Sequence, residues 1–161
     1  MQAIVCVSEN WGIGRDGQLL FHLPADLKRF RALTLGKTVV LGSRTLATFP
    51  GGKPLPDRRC VVLTRGAADS TPGAETAHTV KEALALAGDD AVVIGGASVY
   101  MLLLSRCDRV KVTKVYAAPK ADSFFPNLDA HPDWRVESES EPMEENGLTF
   151  RYVDYVRKQD P

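Results

Sequence analysis

Short runs of β-branched and other apolar residues alternate along the chain with stretches whose apolar positions recur at helical spacing. The pattern predicts strands over residues 4–8, 38–41, 60–63 and 91–94, and helices starting at Ala25, over 80–86 and over 97–104. Val39-Val40-Leu41 and Val92-Val93-Ile94 are apolar without a break, which suits strands of a parallel sheet covered on both faces. An extended segment over 109–116 follows, then two strand candidates, 134–140 and 148–156. The stretch between these two contains Pro142 and ends Asn146-Gly147, so they are expected to pair antiparallel as a hairpin with a long loop. The expected fold is α/β: a mixed, mostly parallel central sheet with flanking helices and an antiparallel C-terminal strand.

The chain's 161 residues suffice for one domain with a substantial core, and no repeat, low-complexity tract or linker divides them. Lys plus Arg and Asp plus Glu both number 20, so the basic surplus of a nucleic-acid or anionic-membrane binder is missing. A small-molecule partner and a monomer are expected, with neither nucleic acid nor membrane. Cys6, Cys60 and Cys107 are odd in number, far apart and set in apolar runs, which reads as reduced thiols rather than disulfides or a zinc site. No export signal opens the chain, and residues 91–105, the longest uncharged stretch, are too short and glycine-broken to span a bilayer. A cytoplasmic protein is expected.

Three places invite a chemical reading. Residues 10–24 form a long loop with three glycines that nevertheless keeps Trp11, Ile13, Leu19, Leu20 and Phe21. Such a loop either folds over an apolar ligand or packs its side chains on the core. Next, Pro24 suits the first position of a helix, and Asp26 in the first turn suits the helix dipole. At about 100° per residue, however, Asp26 falls on one arc with Leu27, Phe30 and Leu33, inside the apolar stripe. A carboxylate there is costly to desolvate unless something uses it, and burial raises its pKa toward the range useful in acid chemistry.

Finally, Val39-Val40-Leu41 runs into Gly42-Ser43-Arg44-Thr45, and Val92-Val93-Ile94 into Gly95-Gly96-Ala97-Ser98. Strand, glycine turn and helix start bring backbone amides to the carboxyl edge of a parallel sheet, where phosphates bind; tight strand-to-helix packing is the other reading. The strand at 60–63 ends in Thr64-Arg65. These ends carry Arg44, Arg65, Ser43 and Thr64 but no acid to accept a ribose hydroxyl, a composition that suits NADP rather than NAD. His22, His78 and His131 lack metal-ligand spacing and no Ser/His/Asp arrangement is evident, so metal and hydrolytic chemistry find no support.

Taken in order, Trp11-Gly12-Ile13-Gly14, Leu23-Pro24-Ala25-Asp26 with Phe30, Gly42-Ser43-Arg44-Thr45, Pro54-Leu55-Pro56-Asp57-Arg58, Ile94-Gly95-Gly96, Val99-Tyr100, Thr113 and Asp122-Ser123-Phe124-Phe125-Pro126 form a specific set. Over essentially its whole length the sequence resembles the bacterial dihydrofolate reductases. The resemblance implies a single reductase domain over 1–161, with an adenosine-binding subdomain at about 38–88. It also implies NADPH as cofactor, and dihydrofolate and antifolate inhibitors as ligands. Asp26, supported by Thr113, would bond the pterin's ring nitrogen and amino group, near the carbonyls of Ile4 and Ile94. Val5, Leu27, Phe30, Phe49, Leu55 and Tyr100 would line the substrate, and Arg58 would pair with the glutamate carboxylate. Gly95, Gly96, Ala97, Ser98, Arg44, Thr45 and Leu46 would surround the pyrophosphate, with Thr64 and Arg65 toward the 2′-phosphate and Tyr100 near the nicotinamide. Cys6, Ile13, Gly14, Leu19, Gly42, Ser43, Leu63 and Val99 complete the implied cofactor set. Asp122 would bond the Gly-rich loop and hold it closed. Two departures from the common family pattern are Leu20-Phe21, in place of Pro-Trp, and Ser43, in place of Arg. A reductase of similar fold acting on a ribosylated pyrimidine, and a non-catalytic NADP- or folate-binding module, are the competing readings.

Overall fold

The computed structural model describes residues 1–65 and 72–158. In chain order its strands are β1 (Gln2–Val7), β2 (Gly12–Arg15), β3 (Gln18–Leu19), β4 (Thr38–Gly42), β5 (Arg59–Leu63), β6 (Ala74–Ala77), β7 (Val92–Gly95), β8 (Arg109–Val115), β9 (Ser123–Phe124), β10 (Trp134–Glu139), β11 (Met143–Glu145) and β12 (Leu148–Arg157). The helices are α1 (Pro24–Thr34), α2 (Ser43–Ala47), α3 (Val80–Ala87) and α4 (Ala97–Leu103). The main sheet runs β10-β12-β8-β1-β7-β4-β5-β6, with β11 beside β12. From β8 through β6 every neighbouring pair is parallel, and β12 joins β8 antiparallel. The expected mixed α/β architecture is therefore present.

Alternation along each strand sorts side chains between the two faces. On one face Ala3, Val5, Val7, Val40, Val61, Val93, Val110 and Val112 form a buried cluster with residues of α3 and α4. On the other, Val39, Leu41, Cys60, Val62 and Val92 pack with Leu46, and Ile4 and Ile94 lean against them. This second face also carries Cys6 of β1, which pairs in register with Thr113 of β8. The period of two thus turns Ile4, Cys6 and Thr113 away from the large core and toward α1.

Three features differ from the sequence expectation. The loop at 10–24 folds in part as β2 and β3, which with β9 make a small antiparallel sheet. The 141–147 stretch is not an open loop, because β11 pairs with β12 through the two-residue turn Asn146-Gly147, with φ of 53° and 75°. Such a turn requires positive φ at both positions, which Asn-Gly tolerates. Strand β6, whose Ala-Glu-Thr-Ala sequence carries little β propensity, gains its place from parallel pairing with β5. Residues 38–65 and 72–88, the described part of the expected subdomain, supply β4, β5, β6, α2 and α3 at one end of the sheet, continuous with the rest through β4 and β7.

Candidate active site

Asp26 lies in the first turn of α1, and Thr113 Oγ1, 1% exposed, donates to its Oδ1 at 2.6 Å. Burial pushes the Asp26 carboxyl above its ordinary pKa; the Thr113 hydrogen bond and the Arg29 guanidinium pull it back, and the Glu145 carboxylate adds to the rise. The apolar stripe that includes Asp26 is only partly covered by protein. Leu27 is 47% exposed, Phe30 and Leu33 are half-buried, and Thr34 is the buried residue of the helix. A helix that leaves its apolar face open borders a cleft rather than a core.

A pocket of about 60 Å³ adjoins this face, lined by Cys6, Ile13, Leu19, Leu20, Phe21, His22, Leu23, Asp26 and Leu27. Asp26 therefore shares its pocket with two further titratable side chains, Cys6 and His22. Burial, and then the charge of Asp26, drive the Cys6 thiol far up, so it stays neutral.

Cys6, Ile13 and Leu19 also line a second cavity of about 190 Å³, together with Val5, Gly14, Arg44, Thr45, Ile94, Gly95, Gly96, Ala97 and Tyr100. Its floor is the Gly95-Gly96 peptide, which is cis. Gly95 has φ of 115°, and a Cβ there would meet the Tyr100 ring at 3.2 Å; a Cβ on Gly96 would meet Thr45 Oγ1 at 3.2 Å. The Tyr100 hydroxyl donates to the Ile4 carbonyl, which locks the ring against β1.

Arg44, Thr45 and Gly96 continue into an outer cleft of about 710 Å³ with Gly42, Ser43, Leu63, Thr64, Arg65, Ser98 and Val99. The carboxyl ends of β4, β5 and β7 meet there, so a bare glycine surface and two arginines face one elongated groove. A dinucleotide with an extra phosphate fits this set: glycines admit its backbone, and Arg44 and Arg65, both exposed, can meet its anionic groups.

The lid over the inner cavity is tied down. Asp16 N–H donates to Asp122 Oδ2 at 2.9 Å, and Asp122 N–H donates to the Gly14 carbonyl at 3.0 Å.

Arg58 lies at the far end of α1. Its Nε donates to Thr34 Oγ1 at 2.7 Å, and its terminal nitrogens donate to the carbonyls of Pro56 at 2.7 Å and Arg31 at 3.3 Å. Three of its donors are used and one N–H on each terminal nitrogen remains, a pair suited to a carboxylate. Asp26 and Thr34 are eight positions apart, or about 12 Å along the helix. The acid and the guanidinium thus mark the two ends of α1.

The remaining sequence candidates differ in exposure. Leu46 is 5% exposed inside the core and lines neither cleft. Phe49 and Leu55 are half-buried against that same core cluster. Sequence reasoning missed His78, Thr79, Val80 and Leu102, which line the outer cleft. The signal was Thr79-Val80-Lys81-Glu82, a reciprocal cap in which Thr79 Oγ1 accepts Glu82 N–H and Glu82 accepts His78 N–H. It places the start of α3 at the same sheet edge, after the unexpected strand β6.

Comparison with known proteins agrees with this geometry. A family model described as dihydrofolate reductase matches residues 1–157. The dihydrofolate reductase of Neisseria meningitidis serogroup A is 35% identical over 156 residues, covering 96% of each chain. Dihydrofolate reductase type 3 of Salmonella typhimurium is 37% identical over 158 residues, again covering 96% of each. Among solved structures, dihydrofolate reductase from Enterococcus faecalis complexed with NADP(H) and RAB-propyl superposes with a TM-score of 0.86 at 33% identity, covering 98% of this chain and 96% of that one. With that family model matched over residues 1–157 and relatives 35% and 37% identical over 96% of each chain, the chain belongs to the dihydrofolate reductase family.

Proposed function

We infer that this protein reduces 7,8-dihydrofolate to 5,6,7,8-tetrahydrofolate with NADPH. The observation that carries the reading is the common wall of Cys6, Ile13 and Leu19, which sets the Asp26 pocket directly beside the glycine-floored cavity. A flat heterocycle on Asp26 and a nicotinamide over Gly95-Gly96 would lie face to face there. NADPH, when bound, supplies the hydride that goes to carbon 6 of the pterin. Everything else falls to the chain. Asp26, held by Thr113, accepts hydrogen bonds from the pterin's ring nitrogen and amino group, which orients the ring and favours protonation at nitrogen 5. Asp26 lies at the far edge of the ring, so water delivers that proton. Leu27, Phe30, Phe49 and Leu55 receive the apolar middle of the substrate, and Arg58 takes the glutamate carboxylate. Tyr100, fixed on the Ile4 carbonyl, forms the wall behind the nicotinamide, and the strapped lid excludes bulk water.

Antifolates that copy the pterin edge would compete at Asp26. The protein is read as a monomer that binds no nucleic acid, the second point supported by the even balance of 20 Lys plus Arg against 20 Asp plus Glu. No helix among the described residues is long and apolar enough to cross a membrane. The unpaired thiols of Cys6, Cys60 and Cys107 support a place in the reducing cytoplasm. Loss of reduced-nicotinamide absorbance on mixing the protein with NADPH and dihydrofolate tests the reading, and no turnover overturns it.

Cofactor choice is assigned to Arg44 and Arg65. Replacing both by Ala is expected to weaken NADPH by about tenfold or more and NADH much less, since both cofactors lose the contact of Arg44 with the pyrophosphate but only NADPH loses the partner of its extra phosphate. Titration of cofactor fluorescence measures both affinities. Equal losses would place the phosphate elsewhere.

A further inference from the structure

Helix α1 has no N-cap of its own. Leu23 occupies the cap position without a side-chain hydrogen bond, and Pro24 has no N–H to satisfy. The next amide, Ala25 N–H, donates to Glu145 Oε1 at 2.9 Å, across 120 positions of sequence. Ala25 immediately precedes Asp26. Glu145 ends β11 at the Asn146-Gly147 turn, and Asn146 Nδ2 reaches the His22 carbonyl at 3.5 Å. Leu23, Val115 and Phe150 form a buried cluster here, against which Ala25, Met143, Leu148 and Tyr152 pack. Strand β12 is paired with β8 so that Tyr152 opposes Thr113. The C-terminal hairpin therefore reaches Asp26 twice: through β8 to its Oδ1, and through Glu145 to the amide one residue before it.

We propose that Glu145 is a positioning residue for the reduction, holding the first turn of α1, and with it the Asp26 carboxyl, in register with Thr113. The assignment rests on the reductase reading above. A carboxylate is the strongest acceptor available to a helix's first turn, yet this one brings a second negative charge close to Asp26. The groups that face Asp26 are Cys6 from β1, Arg29 on α1, Thr113 from β8, Tyr100 from α4, Tyr152 from β12 and Glu145, with His22 at the same pocket. Arg29 favours the ionised acid and Glu145 opposes it. The cap thus places the acid and also keeps it protonated to higher pH.

Glu145→Ala and Glu145→Gln separate these effects, because the amide retains an acceptor oxygen but no charge. Single-turnover hydride transfer from NADPH is measured across pH, with circular dichroism to confirm that each variant is folded. The Asp26 carboxyl carbon is titrated by NMR in the protein without ligands. Glu145→Ala is expected to lower the acid-side plateau by about three- to tenfold, Glu145→Gln to recover most of that loss, and both to move the Asp26 titration toward lower pH. A wild-type plateau in Glu145→Ala, or an Asp26 titration indifferent to both substitutions, overturns the proposal. If the wild-type protein gives no turnover while the titration moves as described, the reductase reading fails and the hold of Glu145 on Asp26 stands.

Discussion

Asp26→Asn is expected to abolish most dihydrofolate turnover near neutral pH, by about a hundredfold or more, while leaving NADPH affinity intact. The substitution keeps the size of the side chain and an acceptor for Thr113 Oγ1, but removes the charge that favours a proton on the pterin. The wild-type hydride step should slow as pH rises above the apparent pKa of the enzyme–substrate complex, and the variant should recover part of its rate in acid, where the substrate arrives protonated. Single-turnover rates across pH check both limbs. Near-normal hydride transfer by the variant at neutral pH would leave Asp26 as an ordinary helix-start residue. The same variant should be the more stable protein. Because burial raises the Asp26 pKa in the fold, its contribution to stability is complete below the ordinary carboxylate value and is lost as pH rises through the raised one. Urea midpoints should therefore favour Asp26→Asn at neutral pH, with the difference shrinking on acidification.

Arg58→Leu is expected to raise the KM for dihydrofolate by about ten- to a hundredfold with little change in kcat. A carboxylate clamp about 12 Å down α1 from the reacting end binds ground and transition states alike. The magnitude follows from roughly 1.5–3 kcal/mol for a charged hydrogen bond lost. Steady-state kinetics decide it, and an unchanged KM would show that the tail lies elsewhere. Because Arg58 also ties the 56–58 turn to Thr34 and Arg31, a fall in melting temperature should accompany the kinetic effect.

Much of this was legible in the sequence because local patterns and tertiary demands coincided. Val39-Val40-Leu41 and Val92-Val93-Ile94 announced buried parallel strands, and Gly42 and Gly95-Gly96 announced the turns that open the cleft. Asp26 stood out as a carboxylate on an apolar arc, and in the structure the Asp26-Leu27 end of that arc lines a pocket, while Phe30 and Leu33 are half-buried. What stayed hidden depended on contacts distant in sequence. Strand β6 has no propensity signal and exists through its pairing with β5, so the His78-Thr79 edge of the outer cleft went unseen with it. Leu46 sits beside Arg44 and Thr45 in sequence, but the turn of α2 sends it into the core. The Glu145 cap joins two segments that no local pattern relates.

The lid strapped by Asp122 carries Ile13 and Leu19, and each of these faces both the acid pocket and the glycine-floored cavity. Two ligands that lean on one shared wall can be thermodynamically linked through it. A ligand that shifts Ile13 or Leu19 on one side alters the surface that the second ligand meets on the other. Reciprocity then requires that any factor by which a bound pterin changes affinity for the dinucleotide be returned unchanged in the other direction. A compound that holds the lid open would weaken both ligands at once while touching neither subsite.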